Sequence, residues 1–328
     1  MKSNGSEQSA LGPAIASYLE LHRALGRNFR NEGGILAGLD RFLAARGAEA
    51  LTAADFDAWA LALARLSPTV RRNHLRVVRN LCLYLRRTDP DCFVPDPREF
   101  PARSAPQRPF IFSEQQILAL LREANRLSPA PVSPLRPAVY RLALALLWTT
   151  GLRRGELVRL AIGDYDACQR TLLVRRSKFH KSRLVALSGS AVAEMERYLK
   201  ERRVLPDEPD APLLANGHGD RQACCAAGLA QGLRKLFQAA GIRTDSGDLP
   251  RTHDLRHSYA HHVLLGWYRA GRDPRAGLPR LAAAMGHASV ASTAIYLRCL
   301  EPVAEAAAER FARYAAPVLG ATRGGSDG

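Results

Sequence analysis

The segment RTHDLRHSYAHH, residues 251–262, gathers His253, His257, His261 and His262 with Arg251 and Arg256. Histidines at helical spacing suggest metal ligands, and His257 and His261 stand at i, i+4 as in some zinc helices. The arginines argue against that reading. Asp254 is the one acidic residue nearby, and a cluster this positive suits an anion, since a guanidinium makes forked hydrogen bonds to phosphate oxygens. Three other segments carry chemistry-bearing residues. They are TTGLRRGELVRL with Arg153 and Glu156, RRSKFHKSRLVAL with Arg175, Arg176, Lys178 and Lys181, and MGHASVASTAIYLR with His287 and Tyr296. Singly each is weak: an arginine near a glutamate is usually a surface ion pair, a lone histidine a core or cap residue, and a helical tyrosine a core aromatic.

The whole chain shares the charge of these segments. It has 328 residues, 47 Lys plus Arg against 31 Asp plus Glu, and a net charge of +16. That excess implies a polyanionic partner, nucleic acid before membrane. The start, MKSNGSEQSALGP, has no apolar run, so no signal peptide is expected in it. The richest apolar run, Leu142 to Trp148, is far short of the ~20 residues a membrane span needs. The six cysteines form no CxxC pair, which reads as reduced thiols in a cytosol and neither a disulfide frame nor a zinc site. No GxxxxGK[ST] loop is present, so nothing points to ATP, and no cofactor or metal is expected. The expected location is cytoplasmic, associated with the nucleoid.

The elements that must position these residues fall into two domains. Residues 1–10 read as a disordered start and 11–89 as a helical domain, with Thr52 capping one helix and Asp55 three residues on. The stretch from Arg65 to Arg87 holds seven arginines and no acid. Arg72, Arg76 and Arg79 share one face of its helix, and with Arg71 they are expected to lie along phosphates. Residues 90–110 contain six prolines and read as an extended interdomain linker. The second domain, 111–317, opens with a helix capped by Ser113 and Gln116. An apolar helix ending at Gly151 follows, then two strands, TLLVRRS and SRLVALS, around a Lys-Phe-His-Lys turn. Further helices are expected over 189–203, 223–240, 253–269, 278–286 and 303–316, with a flexible tail at 318–328. The fold class is mainly α with a small β-hairpin or sheet.

In order and spacing, the four segments resemble the catalytic domain of the tyrosine recombinases, the phage integrase family. The matches are Gly-Leu-Arg-x-x-Glu-Leu at 151–157, a hairpin Lys-x-x-Lys-x-Arg-x-Val at 178–185, His-x-Leu-Arg-His-Ser at 253–258, and Gly286-His287 with a tyrosine nine residues after the histidine. The helical domain resembles that family's core-binding domain more loosely. The resemblance implies a two-domain, C-shaped DNA clamp and a site-specific recombinase with Tyr296 as nucleophile, forming a covalent 3′-phosphotyrosine without metal or ATP. It implies Arg153, Arg256 and His287 on the phosphate oxygens and Lys178, rather than its rival Lys181, as general acid. His253 would assist proton transfer at the tyrosine and orient the phosphate. Glu156 would hold Arg153 or its helix, and His257, one step round the helix, would brace it from behind. Arg175, Arg176 and Lys181 would contact DNA.

The expected partners are double-stranded DNA, further copies of the chain (a dimer per site, a tetramer in the synapse) and sibling recombinases. The helix at 303–316 is expected to dock on a neighbouring protomer. About ten residues precede the helical domain, so no separate arm-site-binding domain is expected, which points to a two-domain enzyme of a mobile element. One departure stands out: GWYRAGRDPRAGLPRLAAA, around 266–280, lengthens the usual spacing by roughly ten residues, an insertion expected to reshape the approach to His287 or to add a protein contact. The alternatives are a DNA-binding accessory protein without strand exchange and a type IB topoisomerase-like strand transferase.

Overall fold

In the computed structural model, residues 8–103, 108–131, 133–175, 182–202, 208–215, 223–287, 289–294 and 296 are described. Arg176, Lys178, Lys181, the helix expected over 303–316, the tail and most of the first ten residues lie outside them. The chain divides into two compact units, Met1–Gln107 and Arg108–Gly328. Both are mainly helical, and none of the described helices is long and apolar enough to cross a membrane.

The first unit holds α1 (Gly12–Ala24), α2 (Arg30–Ala44), α3 (Ala53–Ala62) and α4 (Pro68–Leu85). Thr52 caps α3, its hydroxyl accepting the Asp55 N–H at 3.2 Å. The amphipathic pattern of α4 puts Leu75, Val77, Val78, Leu81 and Cys82 into a core with Leu36, Leu39, Phe56 and Trp59. Apolar burial of this kind is the main stabilising term.

The proline-rich stretch departs from the free linker that its composition suggests. It forms no helix or strand between 90 and 103, yet Phe100 is buried in the first unit's core and Phe93 and Val94 pack against it. Two of the arginines expected on phosphates hold it there. Arg72 Nη1 donates to the Pro101 carbonyl at 2.6 Å and Arg79 Nε to the Pro95 carbonyl at 3.0 Å. The physical reason is that a proline-rich segment pairs with no strand, so its inward carbonyls need donors from elsewhere. Arg76 differs: it is exposed and bonds its own-helix neighbour Asn73 at 2.9 Å, while Arg71 is half-buried.

The second unit is built on α6 (Arg136–Thr150). Residues 142–147 are all buried, so α6 is apolar on every side and sits at the centre. Around it pack α5 (Glu114–Asn125), α8 (Gly189–Arg202), α9 (Ala226–Ala239) and α10 (Thr252–Arg269). Ser113 and Gln116 form the capping box of α5. After α6 come the one-turn α7 (Arg154–Leu157) and an antiparallel sheet of β1 (Tyr165–Asp166), β2 (Thr171–Val174) and β3 (Arg183–Ala186), in that order. Val174 pairs with Arg183, which brings that arginine to the end of the hairpin. The third strand, β1, has two residues and too little alternation to be read from sequence.

The long spacing around 266–280 is helix except for a turn over 270–273. It supplies the last turn of α10 and the first turn of α11 (Pro274–Met285), which starts four residues before the expected 278 with Asp273 as its cap. Gly277 lets the two helices close: a Cβ there would stand 2.1 Å from the Trp267 ring. A short α12 (Ala291–Ala294) precedes Tyr296.

Candidate active site

Four chain segments converge at the C-terminal ends of α6 and α11 and the N-terminal ends of α7 and α10. Gly151 ends α6 in the left-handed region, φ 63°. Besides freeing that conformation, its missing side chain admits Tyr259, whose Cδ1 would lie 2.3 Å from a Cβ at that position. The turn sets Arg153 in extended backbone at the start of α7. Its amide donates to Glu156 Oε2 at 2.9 Å, and its guanidinium donates to Glu156 Oε1 and to the Gly286 carbonyl, both at 2.8 Å. The adjacent Arg154 has a different outlook, onto an open pocket lined also by Arg251, Thr252 and His253.

Glu156 is 3% exposed and central. Besides Arg153, it binds Arg183 through both oxygens, at 3.1 and 2.9 Å. Burial alone would raise its pKa, but hydrogen bonds from Arg183 and Arg153 outweigh burial and pull it down to about 2. Arg183 also donates from Nε to the Ala284 carbonyl at 2.8 Å. Its guanidinium lies against Gly286, where a Cβ would come within 2.6 Å of it, and Gly286 is left-handed at φ 67°. Arg183 was not singled out from sequence. The signal was its place in the Lys-x-x-Lys-x-Arg-x-Val segment, where a hairpin arginine reads as one more DNA contact.

On α10 the same capping device recurs. The Arg251 amide donates to Asp254 Oδ2 at 2.7 Å, and the guanidinium pairs with the same carboxylate. One turn in, Arg256 is 1% exposed. It donates to the Gly151 carbonyl at 2.6 Å and the Met285 carbonyl at 2.7 Å. Burial, and then repulsion from Arg153, bring its pKa down to about 10, so the charge persists at neutral pH. The guanidiniums of Arg153 and Arg256 therefore grip consecutive carbonyls, Gly286 and Met285, at the end of α11. Three guanidiniums here face the single carboxylate of Glu156, a local excess that an anion would relieve. Ser258, the last residue of that motif, is fully buried and ties α10 to the start of the unit by accepting the Phe112 N–H at 2.9 Å.

His287 follows directly from Gly286. Its Nδ1 lies 2.7 Å from the hydroxyl of the buried Thr293, a partner not anticipated from sequence. With that hydroxyl donating, Nε2 keeps its hydrogen and is free to donate to an anion. Burial, then Arg256 and Arg153, push His287 down to about 4, so the ring is neutral. Tyr296 is 3% exposed, its ring nearly parallel to that of His287 with centroids 6.2 Å apart.

One expectation is corrected. His257 does not brace α10 from behind: its Nδ1 lies 3.1 Å from the Tyr296 hydroxyl. The reason is helical geometry, because residues four apart share a face, and His253 and His257 meet edge to face at 4.7 Å. His253 itself is exposed, with partial desolvation and the Arg256 charge lowering its pKa. Of the DNA-contact candidates around the hairpin, Arg175 pairs with the buried Asp164 at 2.5 Å. Lys178, Arg176 and Lys181 lie outside the described residues. Among those residues, no three His, Cys, Asp or Glu side chains gather as a metal site requires.

Comparison with known proteins gives this arrangement its context. The phage integrase family matches residues 111–301. The integrase/recombinase-type protein y4rE of Sinorhizobium fredii is 32% identical over 309 residues, covering 92% of this chain and 95% of its own. Tyrosine recombinase XerD of Agrobacterium fabrum is 30% identical over 323 residues, covering 88% and 91%. Among solved structures, the Tn1549 transposon integrase in complex with a circular intermediate DNA shares the fold, with TM-score 0.62 at 18% identity over 93% of this chain and 99% of that one. With one family matching most of the second unit and relatives aligning nearly end to end, the chain belongs to the phage integrase family and is a tyrosine site-specific recombinase.

Proposed function

We propose that the protein binds double-stranded DNA at specific sites and cleaves and rejoins it through a 3′-phosphotyrosine on Tyr296, to integrate, excise or transpose a mobile element. One observation carries this reading. Arg153 and Arg256 are fixed on the two carbonyls that precede His287, and the His287 ring faces that of Tyr296. A phosphodiester entering there would meet two forked cations and a neutral imidazole donor, the groups that stabilise a pentacoordinate phosphorane. Tyr296 attacks phosphorus, and the departing 5′-oxygen takes a proton from Lys178 in the segment between β2 and β3. The covalent link keeps the bond energy, so religation needs no ATP. His253 orients the phosphate and acts on the tyrosine's proton through its neighbour His257. The +16 net charge supports binding to a polyanion. Two copies would occupy each site and four the synapse, alone or with sibling recombinases, and the protein would work at the nucleoid.

The test uses a duplex selected from a random pool by binding to the protein, then nicked so that cleavage cannot be reversed. Wild type is expected to form a covalent adduct in excess EDTA, and Tyr296→Phe none. Adducts that survive that substitution would overturn the assignment of the nucleophile. Binding without any nicking would make the protein an accessory factor, and relaxation of plasmids lacking a site would make it a topoisomerase.

A further inference from the structure

The reading of Tyr296 as nucleophile leaves open which group takes its proton. The geometry points to His257: we propose that it is a catalytic residue whose Nδ1 accepts the phenolic proton as Tyr296 attacks, and returns it on religation. This rests on the function proposed above. His257 lies within hydrogen-bond reach of the reacting oxygen, 3.1 Å from Nδ1 to Oη, which is the first requirement of a general base. Its ring is tilted 59° to the tyrosine ring, with centroids 5.4 Å apart. The residue expected in this role, His253, has its own ring against His257 at 4.7 Å.

The surroundings keep His257 in the form a base requires. On its own helix it is faced by His253, Asp254, Arg251 and Arg256. Across from it stand Tyr296, and His287 after α11. Burial first, then repulsion from a protonated His253, hold His257 down to about 4, so its lone pair is available at neutral pH. A resting imidazole of that kind is a weak base towards a phenol, so proton transfer must accompany attack. A phosphodiester held by Arg153 and Arg256 adds negative charge beside the ring and raises its basicity as it binds. The step balances. The Tyr296 O–H bond breaks and the proton passes to His257 Nδ1, while Oη forms the bond to phosphorus. The P–O5′ bond breaks, and the leaving oxygen is protonated by the separate general acid. Religation reverses each transfer.

The experiment compares wild type, His257→Asn and His257→Ala in single-turnover cleavage of the nicked duplex from pH 5.5 to 9.5, together with DNA binding. Asparagine keeps a hydrogen-bonding group near the Nδ1 position but cannot take up a proton. Both variants are expected to cleave roughly 10²- to 10⁴-fold more slowly at neutral pH, the usual contribution of a general base. The deficit should shrink as rising pH ionises the phenol directly, and binding should stay within about twofold, well inside a tenfold change in affinity. The inference is overturned if His257→Asn cleaves at the wild-type rate or faster, which would make His257 only a resting place for the tyrosine. A deficit of constant size across the pH range, in a variant that melts like wild type, would likewise reduce it to a structural contact. If wild type itself gives no Tyr296 adduct, the failure belongs to the proposed function and not to His257.

Discussion

Arg256 and Arg183 each act through carbonyls or a carboxylate that only the fold brings to them. Arg256 is buried against two carbonyls at helix ends that must stay together, Gly151 and Met285. A lysine there would keep the charge but lose the fork. Arg256→Lys should therefore keep DNA binding within a few-fold yet slow single-turnover cleavage by about 10² to 10³, the cost of one lost oxyanion-type donor. Wild-type-like cleavage would show that the fork is dispensable. Arg153, Arg256, His287 and Tyr296 could be chosen from sequence because their motifs have fixed spacing. Arg183 and Thr293 could not be, because their value lies in contacts with Glu156 and His287 that only the folded chain creates. His257 departs from its expected place for a simpler reason: a separation of four puts it on the same side of α10 as His253.

At the scale of elements, the ends of α6 and α11, capped by Gly151 and Gly286, decide the geometry. Gly286 ends α11 at φ 67°, with Arg183 lying where a side chain would start. Gly286→Ala should destabilise the second unit by about 1–3 kcal/mol through backbone strain and displacement of Arg183. Thermal melting checks the stability, and an equal melting temperature would refute the packing argument. On α4, the shared helical face that suggested a row of phosphate contacts divides in two. Arg72→Ala and Arg79→Ala should loosen residues 95–101 and lower stability, since each donates to a carbonyl of that segment. Arg76→Ala should leave melting unchanged and reduce the salt dependence of DNA binding by about one unit of slope. Spacing could reveal the face but not the proline-rich segment that covers part of it. The same holds for 266–280, where the family resemblance marks extra residues and the packing of Trp267 on Gly277 sets how the two helices meet.

For the whole molecule, the histidines tie stability to acid. His257, His261 and His287 are all pushed down to about 4 from an ordinary 6.5, chiefly by burial. The sign follows from proton uptake. Above about pH 6.5 both states are neutral at these rings, but as pH falls towards 4 the unfolded chain binds protons that the folded one refuses, so stability is lost. His261 is 3% exposed, and neither ring nitrogen has a partner among the described residues. It alone accounts for roughly 3 kcal/mol across that window. His261→Leu should accordingly raise the melting temperature more at pH 5 than at pH 8, and an equal shift at both would contradict the assignment. The helical class was legible in periodicity, because the apolar spacing of a helix is a local signal. The way the four motif-bearing segments meet was not, because it depends on carbonyls and glycines far apart in the chain. The most direct test of the account is to digest the covalent complex formed on the nicked duplex and locate the attached nucleotide by mass spectrometry. The account predicts a phosphodiester on Tyr296 alone, and a nucleotide on any other residue would contradict it.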